Sequence, residues 1–115
     1  MAFDTTTYGS LGLANGTATA AAGAATLNQP SGLVTSEALT TAFGADYVLT
    51  LTNSYVGTGS VVLATAANGT NTTEGLAINR VQTSSGSVII RVRNTNSAAA
   101  LNGTIVVAYT VINPK

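Results

Sequence analysis

The sequence predicts an all-β protein, an antiparallel β-sandwich or jelly roll with an irregular N-terminal arm. Three observations carry this expectation. Apolar and polar residues alternate with period two in several short stretches. Clusters of Gly, Asn and Ser separate these stretches at spacings of roughly 8 to 15 residues. No stretch keeps a long helical period.

Residues 1–22 are small, rich in Gly and Ala and free of alternation, and read as the arm; residues 23–115 read as the sandwich domain. Thr17 to Ala25 is Ala-rich, but Gly23 weakens a helix that is already too short to stand alone. Strands are predicted at 24–28 and 33–36, around the turn-forming Asn28-Gln29-Pro30-Ser31-Gly32. The next covers 46–53, where Tyr47, Leu49 and Leu51 share one face and Val48, Thr50 and Thr52 the other. Gly57-Thr58-Gly59 turns the chain into a strand at 60–66, which Asn68-Gly69-Thr70-Asn71 ends. A strand at 74–83 stops at Ser84-Ser85-Gly86. In the strand at 87–94, Val88, Ile90 and Val92 face one way and Ile89, Arg91 and Arg93 the other. The last strand, 104–112, is apolar on both faces and is expected to be central or sandwiched. Asn-Gly-Thr recurs at 15, 68 and 102 and reads as turn chemistry.

At 115 residues and 11.4 kDa the chain makes one domain. A chain of this size buries about 65% of its surface on folding, enough for a core without a staple. It has no Cys, His or Trp. Zinc fingers, thiol redox chemistry, Ser-His-Asp or Cys-His catalysis and His- or Cys-bound haem therefore lack their residues. A hydrophobic content of 45% with zero net charge argues against disorder. Charged residues make up only 7% of the chain, a poor guard against association. Much of the surface is thus expected to be covered by other subunits. The N-terminus has no basic region or long apolar run, and the Ala-rich stretch 18–25 is far too short to span a bilayer. Synthesis in a host cytoplasm, with no membrane partner, is the expectation.

The carboxylates are Asp4, Glu37, Asp46 and Glu74, too few and too scattered to read as an acid/base pair, although a single connection could bring Glu37 and Asp46 together. Gly57-Thr58-Gly59-Ser60 lacks the third glycine and the following helix of a phosphate loop. The Asn-X-Ser/Thr sequons at Asn15, Asn68, Asn71 and Asn102 come without a secretion signal. No catalytic, cofactor-binding or metal-binding residue is expected. The arginines are the informative charges. Arg91 and Arg93 leave the same face of one strand, and Arg80 lies on the strand before it. These three form the expected interface, paired to Glu37, Asp46 or Glu74 within or between subunits, since the planar guanidinium suits a carboxylate at two points. Nucleic acid is not an expected partner, because the chain is neutral and poor in aromatic rings.

A longer run carries a likeness. It comprises Leu49-Thr50-Leu51-Thr52-Asn53-Ser54, Ser60-Val61-Val62-Leu63-Ala64, Gly69-Thr70-Asn71-Thr72, Gly86 through Asn94, Ala100 through Ile105, and Tyr109-Thr110-Val111-Ile112. Over about residues 24–113 the chain resembles small β-rich structural proteins of tailed bacteriophages. It is most similar to capsid decoration (cement) proteins and to related tail-fibre domains. The resemblance implies a sandwich or jelly roll, a homotrimer, binding to the major capsid protein lattice at the virion surface, and no catalytic residues. A start at Met1 and an end soon after the last strand fit a free-standing cement protein. The alternative is a tail-fibre, spike or knob module that binds a host-surface glycan or another virion protein; a glycan would need aromatic platforms, for which Tyr8, Tyr47, Tyr55 and Tyr109 are the tyrosine candidates.

Overall fold

Alternating β-branched and apolar residues, punctuated by Gly and Asn, produce eight strands and no helix in the computed structural model, which describes residues 15–114. They are β1 (Asn15–Thr19), β2 (Ala24–Thr26), β3 (Ser31–Thr35), β4 (Asp46–Thr52), β5 (Val61–Asn68), β6 (Leu76–Ser84), β7 (Ser87–Asn94) and β8 (Ile105–Ile112). Two four-stranded sheets result. Sheet A has the order β1-β3-β8-β5, and sheet B the order β2-β4-β7-β6. The arrangement is compatible with a β-sandwich.

Two expectations change. The sheets are mixed, not purely antiparallel, because β1 lies parallel to β3 and β2 parallel to β4. Both pairings follow from the chain crossing between sheets after each of its first strands, so that β1 and β3 enter sheet A in the same direction. Within the expected arm, residues 1–14 lie outside the described residues, while Asn15–Thr19 form β1. This strand escaped the period-two reading because its half-buried positions are Gly16 and Ala18, which carry little apolar signal.

The core fills the space between the sheets. Tyr47, Leu49 and Leu51 of β4 and Val88, Ile90 and Val92 of β7 meet Val34 of β3 and Ile105, Val107 and Tyr109 of β8, all buried. The loop residues Leu39, Val56 and Leu101 close the ends. As expected, β8 is central, with β3 on one side and β5 on the other. Its outward residues Val106, Ala108 and Thr110 are half-buried, which explains apolar character on both faces.

Asparagine does more than make turns. Asn53, Asn71 and Asn94 are buried, and each ties loop backbone together. The Asn53 amide donates to the Gln29 carbonyl (2.8 Å) and to the Tyr109 hydroxyl (3.2 Å), while its oxygen accepts the Tyr55 N–H (2.8 Å). Asn94 donates to the carbonyls of Thr41 (3.0 Å) and Ala99 (2.9 Å) and accepts the Asn96 N–H (2.8 Å). Asn71 donates to the Thr73 carbonyl (2.8 Å) and accepts the Asn102 N–H (2.9 Å). A buried amide is tolerated when its donors and acceptor are all used, and these are. Among the described residues no buried side-chain nitrogen or oxygen lacks a partner.

Candidate cationic face

Charge is segregated between the sheets. No strand of sheet A contains a charged residue. Sheet B carries Asp46 on β4, Arg80 on β6, and Arg91 and Arg93 on β7. Because Val88, Ile90 and Val92 fill the core, Arg91 and Arg93 point outward from β7.

Arg80 joins them through a bulge. Leu76 and Ile78 face inward on β6, and strict alternation would send residue 80 inward too. The register shifts between Ile78 and Arg80, leaving Asn79 as the extra residue. Asn79 and Arg80 are both exposed, and Val81 resumes the inward set. Arg80 then lies directly opposite Arg91. The sequence marks this bulge, since the apolar positions change parity from Leu76 and Ile78 to Val81 across the polar pair Asn79-Arg80.

The three arginines therefore share one face, but they are not equivalent. Arg93 lies opposite Asp46, and its Nε donates to Asp46 Oδ1 at 2.9 Å. Asn79 Nδ2 donates to the other carboxylate oxygen at 3.0 Å. The Arg93 hydrogen bond above all, with Asn79 and the charge of Arg91 helping against partial desolvation, holds the Asp46 carboxyl below its ordinary value of 3.8. Arg80 and Arg91 make no ion pair among the described residues.

The other carboxylates are elsewhere. Glu37 accepts the Tyr47 hydroxyl (2.8 Å) and the Gly23 N–H (2.7 Å). Burial first, then this bond and the nearby negative charge, push the Tyr47 hydroxyl well above its ordinary 10.0. Tyr47 points into the core and Asp46 out of it, so Glu37 and Asp46 do not share a site. Glu74 is exposed in the connection between β5 and β6, and Asp4 lies outside the described residues. Among the described residues no three of His, Cys, Asp or Glu gather where they could hold a metal ion.

The aromatic candidates do not converge. Tyr47 and Tyr109 are buried with their hydroxyls engaged. Tyr55 and Phe43 are exposed, but they follow and precede β4 and so sit at opposite ends of it. Tyr8 lies outside the described residues. No protein-family model, curated protein or solved structure matches this chain.

Proposed function

We propose that this chain is a non-enzymatic structural protein of a bacteriophage virion that decorates and stabilises the capsid as a homo-oligomer. The arginine face of sheet B would bind carboxylates on the major capsid protein lattice. The jelly-roll path and the N-terminal arm implied by the resemblance belong to the same proposal. The observation that carries it is the pairing of Arg80 opposite Arg91 with no ion pair for either among the described residues. Like charges placed directly opposite on neighbouring strands are destabilising. A bound carboxylate would reverse that cost, and a ligand that binds only the assembled shell favours the shell by mass action. Many such sites on one lattice add through effective concentration. A glycan-binding fibre module draws less support, because the described aromatic rings form no shared platform.

The test is capsid occupancy. Arg80→Ala with Arg91→Ala should lower the number of copies bound per purified head while circular dichroism and melting temperature stay close to wild type. Binding of the wild type should weaken as salt rises, as expected for exposed charge pairs. Unchanged occupancy of the double variant would remove the proposal. Tight DNA binding by the wild type with a steep salt slope would replace it with nucleic-acid recognition.

A further inference from the structure

Each sheet has two outer strands, and two of the four are blunted. β2 is three residues long, and β6 is bulged at Asn79 and carries Arg80, whereas β1 is uncharged and five residues long. Short length, bulges and charge are the usual means of stopping one sheet edge from pairing with another. β5 has none of them. It runs eight residues without charge, proline or bulge.

The open side of β5 can be assigned residue by residue. The Val111 N–H donates to the Pro30 carbonyl (2.7 Å), and the Ser36 N–H donates to the Ile105 carbonyl (2.8 Å). The odd residues of β8 therefore bond toward β3, and Val106, Ala108, Thr110 and Ile112 bond toward β5. Their partners are Ala67, Thr65, Leu63 and Val61. The backbone N–H and C=O groups of Val62, Ala64 and Ala66 consequently point away from β8, where no strand pairs with them among the described residues.

We propose that the occupant of this edge is a second copy of the same chain, with β5 pairing antiparallel to β5 about a two-fold axis. A two-fold axis brings like residues together, so the paired strand must carry no net charge. β5 satisfies this, whereas self-pairing of β6 would bring Arg80 against its own kind. A register centred on Ala64 pairs Ala64 with Ala64 and Val62 with Ala66, using every outward group named above. It also sets Leu63, 59% exposed, beside Thr65 of the second copy and so covers part of its apolar surface. The result is an eight-stranded sheet made from two copies of sheet A. It is a dimer, in place of the trimer that the resemblance implies, and it does not depend on the capsid reading.

Light scattering after gel filtration tests this. The wild type at tens of micromolar should show twice the 11.4 kDa chain mass. Ala64→Pro removes an outward N–H and leaves the β8 ladder untouched, and edge strands accept proline at such positions. Leu63→Lys adds an exposed charge beside the edge. Each variant should be monomeric with a wild-type circular dichroism spectrum; if Ala64→Pro unfolds, Leu63→Lys alone decides. In wild-type hydrogen exchange, the amides of Val62, Ala64 and Ala66 should be as slow as those bonded to β8. A monomeric or three-copy wild type, a dimeric Leu63→Lys variant, or fast exchange at those three amides would overturn the proposal. Arg80→Ala with Arg91→Ala should leave the dimer mass unchanged, which separates this result from the capsid one.

Discussion

Thr70 and Thr104 cap each other. The Thr70 N–H donates to Thr104 Oγ1 at 2.9 Å, the Thr104 N–H donates to Thr70 Oγ1 at 2.8 Å, and the two hydroxyls lie 3.2 Å apart. Each threonine follows an Asn-Gly pair, so two of the three recurring Asn-Gly-Thr triplets face one another across the end of the sandwich. The glycines permit the approach. A Cβ on Gly103 would lie 2.7 Å from the Asn71 nitrogen, and one on Gly69 would lie 3.0 Å from the Thr104 carbonyl oxygen.

Removing either hydroxyl should cost about 0.5–1.5 kcal/mol, the usual net worth of a hydrogen bond near the surface. Thr70→Val and Thr104→Val together should cost less than the sum of the two, because the first change already breaks the reciprocal contact. A double-mutant cycle by urea unfolding measures the coupling, and additive effects would mean the two caps act independently.

Val107→Asp should abolish folding. Val107 is 1% exposed on the central strand, between Val34 of β3 and Ala66 of β5. An unpaired buried carboxylate costs several kcal/mol, comparable with a total stability of about 5–15 kcal/mol. Loss of the β-sheet circular dichroism signal is the expected readout, and an unchanged melting temperature would place Val107 at the surface.

Asn94→Ala should destabilise more than a surface substitution does, by about 1–3 kcal/mol. It removes the buried amide's bonds to the Thr41 and Ala99 carbonyls and to the Asn96 N–H, leaving Thr41 with only the Leu101 N–H. Asn96→Ala is the control, since its side chain bonds exposed backbone. The denaturation midpoints of the two variants should differ clearly, Asn94→Ala being the lower.

The Asp46–Arg93 pair should make stability depend on pH at the acid end. The folded carboxyl titrates below the unfolded value near 3.8, so the unfolded chain takes up the proton first. The contribution is complete above that value and is lost as pH falls through the folded one. Asp46→Asn should therefore lower the melting temperature at pH 7 and converge with wild type at strongly acid pH. A difference independent of pH would show that the charge is not what matters.

Tyr47 and Tyr109 give the opposite sign at the alkaline end. Burial raises both hydroxyls above the ordinary 10.0. Their contribution is complete below that value and falls as pH rises toward the folded ones. An ultraviolet titration should show two tyrosines ionising late. Tyr47→Phe should remove one of them, and a profile unchanged by that substitution would count against the assignment.

The strands were legible where apolar side chains alternate, as in Tyr47-Leu49-Leu51 and Val88-Ile90-Val92. β1 was not, because Gly16 and Ala18 give alternation nothing to work on. The shared face of Arg91 and Arg93 could be read from period two alone, and the position of Arg80 needed the bulge, visible only as a change of parity. The buried asparagines were hidden for a different reason. Asn53, Asn71 and Asn94 have the same composition signal as exposed turn residues, and only the convergence of distant loops shows that their amides are enclosed.

The crossing of the chain between sheets also sets how it must fold. Only β6 and β7, joined through Ser85 and Gly86, are neighbours in both sequence and sheet; every other connection between described strands changes sheet. Sheet A cannot form its centre until the end of the chain is available, since Ser31 pairs with Thr110 and Val61 with Ile112. Contacts this distant in sequence close slowly, so refolding should run on the millisecond-to-second scale of β-rich domains. The β6–β7 hairpin is then the natural nucleus. Throughout the search for β8, the uncharged β5 strand waits without a partner on either side, which makes dilute refolding conditions the route to high recovery.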